Sequence, residues 1–164
     1  MKLYQIKRRI NIAIEMLRVN DNYLLKNDVN ERSITHKLAM YLEQTLGKEY
    51  DVDCEYNRNV DDPSNRKTID LLLESDGNSR TQSVYPDIIV HKRGQTDSNL
   101  LIIEVKKSTN RDNGEFDLRK LECYTNTNSI SSFCYTYGAF IKLYTSQDKY
   151  RAPDIIYFKN GNKI

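Results

Sequence analysis

The chain has 164 residues and a formal net charge of +2, with 38% hydrophobic and 29% charged residues. That length fits a single domain over 1–164 with one active site, the balance argues against disorder, and so small a charge excludes a polycation that holds nucleic acid by counterion release alone. No apolar run approaches the roughly 18 residues of a membrane span, and the opening MKLYQIKRRI lacks the apolar stretch of a secretory signal, so a cytoplasmic protein without membrane contact is expected.

Leu3, Ile6, Ile10, Ala13, Ile14 and Leu17 recur at helical spacing and predict an amphipathic helix from about 3 to 19. Its basic residues Lys2, Lys7, Arg8 and Arg9 read as a solvated face, or alternatively as phosphate contacts. A polar connector follows. Ile34, Leu38, Leu42 and Leu46 form the stripe of a second helix, from Glu31 to Leu46, with Asn30 as N-cap and Gly47 as its stop. The alternation in YDVDCEYN (50–57) predicts a half-buried edge strand.

From Arg58 to Ser83 the composition turns polar, with turn signals at Asp61-Asp62-Pro63-Ser64 and Asp76-Gly77-Asn78-Ser79 around IDLLLE, a run compatible with strand or helix. VYPDIIVH (84–91) and NLLIIEVKK (99–107), separated by the turn-rich KRGQTDS, predict a central hairpin with a longer loop. A third helix is expected over Glu115 to Thr125, then closing strands in YTYGAFIKLY (135–144) and DIIYF (154–158). The resulting order is α-α-β-β-β-α-β-β.

Cys54, Cys123 and Cys134 are odd in number, widely spaced and without a C-x-x-C pair, which suggests neither a disulfide framework nor a zinc site. They are expected to fill apolar space. Twelve tyrosines and no tryptophan suit stacking on bases, although half-buried packing explains most of them equally well. His36 and His91 read as incidental: His36, five residues past Glu31, points away from that acid's face, and His91 ends a strand beside a loop.

Glu104 and Lys106 stand two apart in a strand and so share a face with Leu100 and Ile102, while Leu101, Ile103 and Val105 line the other. Of the fourteen lysines, only Lys106 has an acid two positions upstream, so the pairing is not a by-product of charge-rich composition. A structural ion pair is the alternative. If the two central strands pair with Ile89 facing Ile102, Asp87 falls opposite Glu104. Directly opposed like charges destabilise a sheet unless a positive charge sits between them. A divalent cation such as Mg²⁺ or Mn²⁺ would supply it, since hard cations prefer carboxylate oxygens. A different register, or protonation of one acid, would also relieve the repulsion. Glu31 lies on the core-facing stripe of its helix, where it is either a third site acid or a first-turn acid complementing the helix dipole.

Pro86-Asp87 at a strand start, followed after a short loop by Glu104-Val105-Lys106 on the neighbouring strand, resembles the PD-(D/E)XK nuclease superfamily, over about three quarters of the chain. The resemblance implies an α/β, restriction-endonuclease-like three-layer fold: a central mixed sheet with an αβββαβ core, here with an extra N-terminal helix. It also implies a metal-dependent nuclease that hydrolyses phosphodiester bonds, of DNA more than RNA. On that resemblance Asp87 and Glu104 would bind one or two Mg²⁺ (or Mn²⁺) ions with the carbonyl of Val105 as a further ligand. Glu31 would match the helical acid, and Lys106 would orient the nucleophile and stabilise charge at phosphorus. A lysine beside two carboxylates should stay protonated. Some branches carry Gln-x-x-x-Tyr on the following helix. Here the stretch is Lys120-Leu121-Glu122-Cys123-Tyr124, which keeps the tyrosine and replaces the glutamine, so Lys120 and Tyr124 are candidate substrate contacts and Lys120 is alternatively a helix-surface lysine.

The competing expectation is a module of the same fold that binds nucleic acid or assembles without catalysis, and a weaker one is hydrolysis of another phosphate ester. No recognition helix or zinc finger is evident, so sequence-specific cutting would need a homodimer or a recruiting protein partner.

Overall fold

Apolar residues on one stripe make the first helix, α1 (Leu3–Asn20), which buries Ile6, Ile10, Ala13, Ile14 and Leu17 as its spacing predicts. The computed structural model describes residues 1–55, 85–95, 98–127 and 134–164, and the backbone alone of 68–71 and 80–83. The expected polar connector contains a short helix, α2 (Asn22–Lys26), formed because Leu25 turns inward and is buried. The next helix, α3 (Glu31–Leu46), begins where Asn30 Oδ1 accepts the Ser33 N–H at 2.8 Å and ends at Gly47 with φ 65°. Both end signals are the predicted ones.

Strand β1 (Asp51–Cys54) lies at the edge of the main sheet, paired antiparallel with β4 (Ile88–His91). Between them, β2 (Thr68–Leu71) and β3 (Arg80–Ser83) pair antiparallel in a sheet of their own, which resolves the start of the IDLLLE run as strand. The turn signals at 61–64 and 76–79 lie outside the described residues. β4 and β5 (Leu101–Lys107) form the expected hairpin in the expected register, with Ile88, Ile89 and Val90 facing Ile103, Ile102 and Leu101. From β5 the chain crosses through α4 (Glu115–Thr125) to β6 (Tyr137–Leu143), which runs parallel to β5, as a helical crossover allows.

β7 (Asp154–Lys159) returns antiparallel to β6, and a two-residue strand, β8 (Asn162–Lys163), folds back on it. β8 lies beyond the strands expected from alternation. Its signal is Asn160-Gly161, both at positive φ (51° and 76°), the backbone of a tight hairpin turn.

The open main sheet therefore runs β1-β4-β5-β6-β7-β8, mixed, with helices on both faces. Ile88, Val90, Leu101, Ile103, Val105 and Ile141 pack under α1 and α3. Ile89, Ile102, Phe140 and Phe158 pack under Leu121 and Tyr124 of α4. Each fully buried Leu, Ile or Phe contributes about 1.5–3 kcal/mol, so these two clusters fix which side chains of β5 face which layer. Gly114 (φ 81°) starts α4 against the Phe140 ring, where an added Cβ would come within 2.6 Å of Cζ, so only glycine lets α4 begin so close to the sheet.

All three cysteines are free, as their spacing suggests, and half-buried Cys123 packs against the apolar cluster under α4; Cys54 and Cys134 depart from expectation, being exposed instead of filling apolar space. Cys54 ends the edge strand β1, and its apolar alternation does not extend to cover it. Among the described residues, no helix is long and apolar enough to cross a membrane.

Candidate active site

The β4–β5 ladder is apolar until its last rungs. One step beyond the Ile88–Ile103 pair, Asp87 stands across from Glu104, and its Oδ2 accepts the Val105 N–H at 2.7 Å. Asp87 thus continues the pairing with a side chain where a backbone carbonyl would otherwise serve. Its pKa is pushed up to about 6, chiefly by burial; the Val105 N–H and Lys120 oppose the rise, and Asp117 and Glu31 add to it.

Glu104 is 1% exposed in the middle of the sheet. Burial, and after it the charge of Asp87, push its pKa well above the usual carboxylate range against the pull of Lys120. Its Oε2 accepts a hydrogen bond from Lys120 Nζ at 2.8 Å, and its Oε1 has no hydrogen-bond partner among the described residues. An orphaned acceptor at full burial is costly, and calls for a ligand or a proton.

Helix α4 supplies the countercharges. Lys120 is buried, so the helix-surface reading of this residue gives way: α4 lies flat on the β5–β6 face and turns Lys120 toward Glu104. The same ammonium lies 2.8 Å from Asp117 Oδ1, and Asp117 Oδ2 lies 2.7 Å from Lys106 Nζ. Asp112 is a further partner of Lys106 at 3.5 Å. Burial works against both ammonium groups, but the carboxylates outweigh it (Asp117 for Lys106, Glu104 and Asp117 for Lys120), and both lysines are held above their ordinary pKa. Lys106 therefore remains a cation, as the sequence implied.

Glu31, the first residue of α3, approaches from the opposite layer. Its Oε2 accepts the Lys107 N–H at 2.8 Å and Asn110 Nδ2 at 3.3 Å, engaging the end of β5 through the backbone. Lys107 fixes that approach, since its Nζ reaches Asp28 Oδ1 at 2.9 Å, Val29 O at 3.0 Å and Asp28 O at 3.2 Å in the α2–α3 connection. Glu31 and Asp87 then line one cleft of about 610 Å³ with Arg32, Thr35, His36 and Tyr85. His36 was expected to point away from Glu31. The cleft wraps around the first turns of α3 and takes in both.

The structure thus brings Asp87, Glu104, Lys106 and Lys120 together on the α4 side of the sheet, with Glu31 joining Asp87 at its end. Val105 contributes its N–H to Asp87 and buries its side chain under α1 and α3. Tyr124 is 2% exposed, stacked edge-to-face on Tyr135 with ring centroids 6.0 Å apart, and its hydroxyl has no hydrogen-bond partner among the described residues. It is a core residue beneath the acids. Sequence reasoning missed Asp117, whose one signal is the i,i+3 spacing to Lys120 in the first turn of α4.

Among the described residues, no three His, Cys, Asp or Glu side chains form a metal-holding group. The two opposed carboxylates still suit a magnesium-like ion, which usually takes one or two protein carboxylates and fills its remaining positions with water and phosphate oxygens. The partnerless Glu104 Oε1 is the atom such an ion would engage. Compared with family models, curated proteins and solved structures, the chain matches none.

Proposed function

We propose that this chain is a metal-dependent nuclease of restriction-endonuclease-like, PD-(D/E)XK architecture that hydrolyses phosphodiester bonds, of DNA in preference to RNA. What carries the reading is the β4–β5 register, in which Asp87 opposes Glu104 while Lys106, two residues along β5, shares the face. Like charges facing each other inside a sheet are unfavourable without a cation, and a sheet has no packing reason to put them there. The open α/β sheet with α3 and α4 on opposite faces is compatible with that architecture.

A bound Mg²⁺ or Mn²⁺ would lower the pKa of a coordinated water and neutralise phosphate charge. Asp87 and Glu104 would hold it, with the Val105 carbonyl available as a further ligand. Lys106 keeps its proton, so it acts by orienting the nucleophile and stabilising charge that develops on phosphorus. Asp117 sets the Lys106 ammonium in place, and Lys120 balances Glu104 from the helix. Glu31 fixes the end of β5 and faces the cleft through which substrate reaches Asp87.

The test is incubation with single-stranded DNA, duplex DNA and RNA, with Mn²⁺ or with EDTA, comparing wild type and Lys106→Ala. Cutting that needs the metal and is lost in the variant supports the reading, and the absence of cutting on every substrate contradicts it. One observation favours a second reading, a non-catalytic binding module: Lys120 already supplies Glu104 with a cation at 2.8 Å. Calorimetry with Mn²⁺ separates the two, because a module whose charge is internally balanced shows no binding heat that depends on Glu104.

A further inference from the structure

The cleft beside Asp87 has walls of a particular chemistry. Tyr85 is 47% exposed and precedes Asp87 by two residues, with Pro86 between them. A residue before proline is restricted to extended backbone, and proline fixes its own φ, so the backbone that carries Tyr85 into the cleft next to Asp87 is held extended. The Glu55 N–H donates to the Asp87 carbonyl at 3.3 Å, which ties the end of β1 to the same point.

Across the cleft stands Arg32, whose side chain is 87% exposed and whose Nε lies 3.0 Å from Glu55 Oε1. An ion pair this exposed is worth little and yields readily to a competing anion. The cleft continues into a second depression of about 690 Å³ over the start of α3, which shares Glu31, Arg32 and His36 and adds Asn30, Ser33 and Lys37. The two depressions thus adjoin at Glu31, Arg32 and His36; the first holds Tyr85 and Asp87, and the second adds Lys37, whose Nζ lies 3.7 Å from Asp21, and the polar side chains of Asn30 and Ser33. Of their acids, Glu31 is engaged by the β5 backbone, Glu55 by Arg32, and Asp87 lies at the proposed reaction centre.

We infer that this pair of depressions seats a single, unpaired nucleic-acid strand, with Tyr85 stacking on the base next to the bond at Asp87 and Arg32 contacting a backbone phosphate. An aromatic face beside backbone-tracking cations is how proteins hold unpaired strands without reading sequence, because every base offers a π-face and a paired base does not present it. The inference rests on the nuclease reading for the bond that is cut, and it narrows the substrate to single strands or unpaired ends.

The test is fluorescence anisotropy in EDTA, where no cutting occurs, with a labelled thymidine oligonucleotide and a duplex of equal length. Wild type should bind the single strand more tightly than the duplex. Tyr85→Ala should weaken single-strand binding roughly tenfold, and Tyr85→Phe, which keeps the ring, should bind as wild type does. Arg32→Ala should flatten the salt dependence of log K by about 0.7, the loss of one phosphate contact on a single strand. Equal binding by wild type, Tyr85→Ala and Arg32→Ala overturns the inference, as does a preference for duplex or no binding at all. A protein that binds single strands through Tyr85 yet cuts nothing in Mn²⁺ contradicts the nuclease reading and leaves this one standing. A protein that cuts duplex equally well with and without the Tyr85 ring does the reverse.

Discussion

Asp87 takes the N–H of Val105 at 2.7 Å, so the carboxylate proposed to hold a metal also closes the last rung of the β4–β5 pairing. One oxygen is committed to the sheet, which fixes the direction of the carboxylate as a whole. Structure and site are joined at this residue, and its substitutions separate the two roles.

Asp87→Asn retains an oxygen to accept the Val105 N–H, whereas Asp87→Ala leaves that buried donor unsatisfied. The alanine variant should be less stable than the asparagine variant by about 1–3 kcal/mol in urea unfolding. In the metal-free protein the pH dependence has a definite sign. The folded pKa of Asp87, about 6, lies above its ordinary value of 3.8, so the folded state binds this proton more tightly and loses stability as pH rises between those values. Asp87→Asn removes the penalty. Its stability relative to wild type should grow from pH 4 to pH 6 and then level off, by on the order of 3 kcal/mol. A flat difference across that window would show that Asp87 titrates normally.

The Lys120–Glu104 pair is buried on both sides, with side-chain exposures of 8% and 2%. Removing one partner of such a pair leaves an uncompensated charge, so Lys120→Met should cost about 3–5 kcal/mol at neutral pH. Glu104 escapes that cost by binding a proton, for which its raised pKa already prepares it, so the loss should shrink as the solution is acidified. Replacing both residues, Lys120→Met with Glu104→Gln, should recover the share that belongs to Glu104 and leave the loss of the Lys120–Asp117 contact at 2.8 Å. Chemical denaturation of the two single variants and the double variant measures the coupling directly.

Lys106 and Asp117 predict a kinetic contrast. Lys106→Ala should lower kcat by about 10²–10³, the usual consequence of deleting a group that stabilises transition-state charge, and leave KM nearly unchanged. Asp117→Asn keeps Lys106 but removes the carboxylate 2.7 Å from its ammonium, so kcat should fall less, again with KM spared. Steady-state kinetics with Mn²⁺ and an excess of substrate distinguishes this from a loss of binding, which would raise KM alone.

The part of the site that was legible in the sequence is the part that depends on strand periodicity. Alternation fixes which residues of β5 share a face, and the hairpin pattern sets the register that brings Asp87 across from Glu104. Helix α3 was legible at both ends because Asn30 and Gly47 act locally. Lys120 stood out only as a candidate substrate contact, and its pairing with Glu104 and the part of Asp117 were not legible, since an i,i+3 acid–base pair on an amphipathic helix reads as solvated surface. Only the way α4 lies across β5 and β6, allowed by Gly114 against Phe140, turns both residues inward. The role of Lys107 was hidden for the same reason: three acceptors from the α2–α3 connection, 78 and 79 residues away, converge on it. Short helix α2 and strand β8 fell below the length at which periodicity speaks, although Asn160-Gly161 marked the second.

The central claim is that Asp87, facing Glu104, organises a metal-dependent hydrolytic centre. Its most direct measurement is the rate at which wild type and Asp87→Asn cut a labelled DNA strand in Mn²⁺, with both proteins first verified as folded by their unfolding transitions. The account predicts cutting by wild type and only background for the variant. An Asp87→Asn protein that cuts at the wild-type rate would contradict it.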